Sequence, residues 1–214
     1  MIIGNTAECR DRVRSFRCKR AIIKEETMIL FIDACARKGS RTRRLAERVL
    51  SHLNDTVEAV RLFGLDFPKT DEAFLRKRNA CMAADDFSDP MFDLAKQFQK
   101  ADTVVVAAPH WDLSFPAVLK QYFESINVVG LTFYYTDSDR PITLCRAKKL
   151  YYVATAGGPV RNHDYGFGYV KGLGAEFYGI SDATLFCAEG IDLFGADTEA
   201  ILREAEERID RAFR

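Results

Sequence analysis

The sequence predicts a doubly wound α/β domain: a five-stranded parallel sheet with helices on both faces. Three observations carry that expectation. From Met28 onward, short apolar runs alternate with amphipathic stretches, the rhythm of βαβ crossovers in a parallel sheet. The first, third and fourth runs are almost wholly apolar, as strands covered by helices on both sides must be. No internal repeat or low-complexity tract breaks the pattern, so the sheet and its helices form one domain over residues 28–214.

Strands are expected at 28–34 (MILFIDA), 57–62 (VEAVRL), 103–108 (TVVVAA), 150–155 (LYYVAT) and 184–187 (TLFC). Each is short and holds the β-branched, aromatic or aliphatic residues of a pleated surface. Helices are expected at 40–53, 72–84, 89–100, 115–129, 166–178 and 198–213. Ser40 suits the N-cap of the first. Pro109 stops the third strand, Ser114 is a candidate N-cap, and Phe115-Pro116 sets proline at an early helical position. The stretch 115–129 presents Phe115, Val118, Leu119, Tyr122, Phe123 and Ile126, more apolar surface than one sheet face needs. That pattern fits a fully buried core helix or an isologous dimer contact.

Residues 1–27 differ from the rest, with seven Lys/Arg, four Asp/Glu and weak periodicity. They are expected to be an N-terminal extension, either a flexible arm preceding a start at Met28 or an accessory element. Across all 214 residues the formal charge is zero, so no bulk field points to nucleic acid or an acidic lipid surface. No run approaches the roughly 20 apolar residues of a membrane span, and no secretory h-region opens the chain. Cys9, Cys18, Cys35, Cys81, Cys145 and Cys187 are scattered without CxxC spacing, as free thiols of a cytoplasmic protein are, and no zinc-site pattern appears. The sequon at Asn54 carries no weight without a secretory signal.

In a doubly wound sheet, ligands bind beyond the carboxyl ends of the strands, where strand order reverses. Three strand exits stand out. The first reads DACARKGSRTRRLAE. Backbone N–H groups at a helix start, hydroxyls of Ser40 and Thr42, and Arg37, Arg41 and Arg43 suit an anion such as phosphate. An ordinary capped helix with solvated arginines has the same local pattern. Neither GxxxxGK[ST] nor a strand-linked GxGxxG is present, and GFGYVKGLG at 166–174 fails that spacing. The second exit is Pro109-His110-Trp111-Asp112-Leu113. The lone tryptophan offers a flat face and one N–H to a planar ligand, or plugs the edge of the core. The third exit, Thr155-Ala156-Gly157-Gly158-Pro159, lets bare backbone approach a ligand, or is a tight turn. Together they suit a phosphate joined to a planar heterocycle, and flavin mononucleotide (FMN) is the natural candidate.

The segments GSRTRRLAE, APHWDLSFPAVLKQYFE, GLTFYYT, TAGGPV and GYVKGLGAEFYGISDATLFCAEGID resemble, in order, the motifs of the flavodoxin-like NAD(P)H dehydrogenase (quinone) family, which includes the FMN-dependent NADH-azoreductases. The resemblance implies a flavodoxin-like fold and a homodimer holding FMN at its interface. It further implies a ping-pong route from NADH or NADPH through FMN to a quinone- or azo-type small-molecule acceptor. By motif match, Arg37, Ser40, Arg41 and Thr42 would surround the FMN phosphate. Pro109, His110, Trp111, Asp112 and Leu113 would run along the ring system, and Thr155, Gly157 and Gly158 would contact its pyrimidine side. Phe133 and Tyr135 would reach the dimer mouth.

Three departures bear on substrate. Asp112 stands where azoreductases commonly have Asn, Ala156 where they have Arg, and His110 where an apolar residue is frequent. His110 is the candidate proton donor, with His163 a second and solvent a third, while His52 reads as a surface residue. The acids of TDSDRP (136–141) read as a solvated turn. The alternative function is a non-catalytic flavodoxin-like electron carrier or redox-responsive flavin protein. An iron–sulfur flavoprotein lacks its clustered cysteines.

Overall fold

The computed structural model describes residues 27–135 and 140–214. The extension over residues 1–27, apart from Thr27, and the acids Asp137 and Asp139 lie outside the described residues. In chain order the elements are β1 (Met28–Asp33), α1 (Arg41–Leu50), β2 (Thr56–Arg61), α2 (Glu72–Ala83), α3 (Asp93–Lys100), β3 (Thr103–Ala107) and α4 (Ala117–Ile126). There follow β4 (Phe133–Tyr135), β5 (Pro141–Thr143), β6 (Lys149–Thr155), α5 (Tyr169–Leu173), β7 (Asp182–Ala188) and α6 (Thr198–Ala212).

All five predicted strands form one parallel sheet in the order β2-β1-β3-β6-β7. The order reverses between β1 and β3, which makes the crevice beyond their carboxyl ends the switch point. In register, Asp33 of β1 lies beside Ala107 of β3, and β6 runs on to Thr155. Side-chain alternation with period two splits the apolar runs between two cores. Ile29, Phe31, Val105 and Val153 pack under Leu45 and Val49 of α1 and Leu202 and Ile209 of α6. Leu30, Ile32, Val104 and Val106 pack under Phe98 of α3 and Leu119, Tyr122 and Phe123 of α4. Each buried Leu, Ile or Phe contributes about 1.5–3 kcal/mol. Exposed ion pairs such as Arg48–Asp210 are screened by solvent and add little, so apolar burial holds α1 and α6 to the sheet.

The structure corrects several local expectations. Ser114 does not cap α4; it pairs with Trp111 in a tight turn, and Pro116 is the residue before the first helical turn, with φ −56° and ψ 141°. The predicted helix at 166–178 is a short α-helix, α5, between two wider π-helical turns at Asp164–Gly168 and Gly174–Tyr178, ended by left-handed Gly179. The hairpin of β4 and β5 was not legible, because its strands are three residues each and show no alternation. Of the apolar surface of 115–129, Leu119, Tyr122, Phe123 and Ile126 are buried within the chain, while Phe115, 5.7 Å from Tyr169 and 6.4 Å from Phe123, and Val118 are half-buried and Val129 is exposed. Phe133 is not at a surface mouth but is buried against Phe177; Tyr135 is exposed. His52 is half-buried, stacked on Phe213 with its Nε2 2.8 Å from Asp210 Oδ1.

Candidate functional site at the strand exits

At the first exit the chain turns on a buried ion pair. Asp33, 1% exposed, takes a hydrogen bond from the Cys35 N–H on Oδ1 and from Arg43 Nε on Oδ2, at 2.9 and 2.6 Å. The rest of the Arg43 guanidinium donates to the carbonyls of Arg37, Lys38 and Cys35 at 2.8 to 3.0 Å. One planar fork therefore ties the loop's carbonyls together, leaving its other groups to face an incoming anion. Ser40 caps α1, its Oγ accepting from the Arg43 N–H at 3.3 Å. The N–H groups of Arg41 and Thr42 belong to the first turn, whose donors have no acceptor within the helix. Arg37 lies on the exposed loop, and Arg41 pairs with Asp192 at 2.8 Å.

Thr42 and Arg43 are placed differently from the expectation. The Thr42 hydroxyl points inward, 2.6 Å from that of Thr155, both residues being buried. Only the Thr42 N–H, as a first-turn donor, remains suited to an anion. Arg43 holds the loop. Cys35 is buried with its thiol pushed up to about 12, chiefly by desolvation, which disfavours its thiolate.

The second exit is a strained tight turn. The Ser114 N–H donates to the Trp111 carbonyl at 2.7 Å and the reverse bond is 3.2 Å. The two central residues, Asp112 and Leu113, have φ of 49° and 69°, the left-handed pair of a type I′ turn. Leucine rarely adopts that conformation, and such strain gathers at functional sites. The turn carries Trp111 and Leu113 outward, 42% and 68% exposed, and Phe63 packs edge-on to Trp111 at 6.3 Å. The Ser114 hydroxyl donates to the Tyr165 carbonyl at 2.6 Å, fastening the turn to the segment before α5. His110 donates its N–H to the Thr155 carbonyl at 2.9 Å. Its imidazole is held below the ordinary value of 6.5 by burial and by neighbouring His163.

The third exit borders the last. Ile191 and Asp192 donate their N–H groups to the carbonyls of Ala156 and Gly157 at 3.2 and 3.0 Å. A Cβ on Gly157 would stand 2.9 Å from Asp192 Oδ2, whereas one on Gly158 would meet nothing within 4 Å. Gly158 thus offers open backbone, while a Cβ on Gly157 would press on the exposed Asp192 carboxylate. The three exits are joined: first to third by Thr42–Thr155, second to third by His110–Thr155, and first to the end of β3 by the Ala34 N–H on the Ala107 carbonyl at 2.8 Å. An open cavity beside the start of α1 is lined by Lys38, Ser40, Arg41 and Glu199, with no lining residue from the second or third exit. Asp33, Phe63, Tyr165, Glu189 and Asp192 escaped the sequence reading. Only Asp33 left a signal, as an acid ending a buried strand.

Such exits at the reversal of a parallel sheet define a doubly wound α/β protein with an anion-suited helix start at its switch point. The chain belongs to the family with the flavodoxin-like fold, whose pattern matches residues 27–213. It is 32% identical over 191 residues to FMN-dependent NADH:quinone oxidoreductase 2 of Clostridium acetobutylicum, covering 84% of this chain and 94% of that one. It is 34% identical over 176 residues to FMN-dependent NADH:quinone oxidoreductase of Lachnoclostridium phytofermentans, covering 79% and 88%. Among solved structures, an azoreductase from Bacillus anthracis superposes with a TM-score of 0.73 at 25% identity, covering 87% of this chain and 98% of the other.

Proposed function

We propose that this chain is an FMN-dependent NAD(P)H oxidoreductase that transfers two electrons to a quinone- or azo-type acceptor. The observation that carries the reading is the junction of three loops at the switch point, one of them the capped start of α1. The activities for which the relatives are named agree with it. The fit to FMN rests on the chain's own groups. First-turn N–H donors, with Arg37 and Arg41, suit the phosphate. The exposed Trp111 turn suits a planar ring, and open backbone at Gly158 suits its polar edge.

FMN held by these residues would supply the two-electron redox chemistry between NADH or NADPH and the acceptor. The protein's part is binding, orientation and electrostatics. The tight turn from Trp111 to Ser114 sets residues 109–113 along one edge of the ring site, held from behind by the His110–Thr155 and Ser114–Tyr165 bonds. His110, kept largely neutral near pH 7, adds little charge there and is placed to hold a proton on its ring nitrogens. The exposed apolar rim of Trp111, Leu113 and Tyr165 supports a homodimer in which a second copy closes the crevice. No described helix is long and apolar enough to cross a membrane, and the free thiols of the described cysteines fit a cytoplasmic setting.

The test is to purify the protein with excess FMN, record its visible spectrum, and add NADH without oxygen. Retained yellow colour that bleaches within turnover time is expected. A preparation that takes up no FMN removes the reading. A flavin that NADH leaves oxidised, but that a partner reductase reduces, would make the protein an electron carrier instead.

A further inference from the structure

Next to His110 lies a cluster whose cysteine and carboxylate the oxidoreductase reading does not use. Cys187 is the last residue but one of β7 and Glu189 follows two residues later, so extended chain projects both side chains to one side. His163 reaches the same place from the loop after β6. One nitrogen, one sulfur and one carboxylate oxygen lie within 4.8 Å of one another, all half-buried. We propose that His163, Cys187 and Glu189 form a binding site for a zinc-type divalent cation, with three protein ligands and a fourth position open. It needs neither FMN nor the activity proposed above and is tested separately.

Geometry and ligand chemistry both support it. Metal–nitrogen and metal–oxygen bonds of about 2.0–2.1 Å in a tetrahedron set ligand atoms about 3.3 Å apart. His163 Nε2 and Glu189 Oε1 stand 3.2 Å apart, close to that edge. The supporting contacts are built in. Glu189 Oε2 accepts the Val160 N–H at 2.8 Å, which orients the carboxylate and leaves Oε1 for the ion. The His163 carbonyl accepts the Gly166 and Gly168 N–H groups at 3.2 and 2.9 Å, fixing the loop at the start of its helical run. A thiolate, an imidazole and a carboxylate together are a zinc donor set, whereas magnesium or calcium would call for oxygen ligands. A three-ligand site with an open position is the form that binds a further small ligand or water. The sequence concealed it because the ligands are separated by a helix and a strand.

The experiment uses the full chain with its flavin, stripped of metal by a chelator and titrated with zinc against a chromophoric competitor. One zinc per chain is expected to remain after gel filtration. Its X-ray absorption should give one sulfur at about 2.3 Å and lighter atoms at about 2.0–2.2 Å. Cys187→Ser should lose the sulfur shell, and Glu189→Gln should weaken binding by roughly tenfold or more. Zinc that is substoichiometric, or bound without sulfur, overturns the site. So does a sulfur shell that survives in Cys187→Ser, since the metal would then sit on another cysteine. If Cys187→Ser does not fold, His163→Ala, on a partly exposed loop, decides: undiminished zinc affinity overturns the proposal.

Discussion

Arg43 Nε donates to Asp33 Oδ2 at 2.6 Å, joining the first turn of α1 to the last residue of β1 with the carboxylate fully enclosed. This pair sets the shape of the first exit, because the same guanidinium holds three loop carbonyls. Removing one partner of a buried pair leaves the other charge uncompensated, at a cost of about 3–5 kcal/mol. Arg43→Ala is therefore expected to lower stability by about 3 kcal/mol in urea melts. Arg43→Lys should recover little of it, since a point charge cannot make the fork. A loss under about 1 kcal/mol in Arg43→Ala would contradict the role.

The Thr42–Thr155 contact is expected to behave as a coupled buried pair. Thr42→Val leaves the Thr155 hydroxyl without its partner, and an unmet buried polar group costs about 1–3 kcal/mol. Adding Thr155→Val should return part of the loss. A double-mutant cycle on flavin-free protein reads the coupling, and strict additivity would mean the two hydroxyls do not depend on each other.

Arg41 and Asp192 meet at the surface, so their salt bridge adds little stability. Its expected importance is to FMN. Arg41→Glu should weaken FMN binding by about tenfold or more, roughly 1.4 kcal/mol, and Asp192→Asn should tighten it by removing a competing carboxylate. Both effects should shrink as salt rises. Flavin fluorescence titration measures them, and unchanged affinity in Arg41→Glu would refute the phosphate assignment.

His110 gives a pH signature with a definite sign. Burial and His163 hold its folded pKa below the 6.5 of a free imidazole, so below pH 6.5 the unfolded chain binds the proton more readily. Stability from this group is complete above 6.5 and falls as pH drops from there through the folded pKa. In chelator-treated protein, urea melts between pH 7.5 and 5 should slope less in His110→Gln than in wild type, and the His110 ring should titrate below 6.5 by NMR. A ring titrating at or above 6.5 contradicts the placement.

What the sequence determined by itself was much of what local pattern governs. Fully apolar runs at Met28, Thr103 and Leu150 made a parallel sheet readable, the Ser40 cap marked the start of α1, and the loops after those strands stood out as the proposed site. Periodicity and capping act over a few residues, so a single chain displays them. The tertiary structure alone decided what those loops contain. It turned Thr42 toward Thr155, 113 positions away, and brought Asp192 to Arg41 across 151. It closed the Trp111–Ser114 turn on two left-handed residues that local preference disfavours, and it gathered His163, Cys187 and Glu189. Such contacts depend on which strands lie side by side and how far each one runs, and no local preference encodes that.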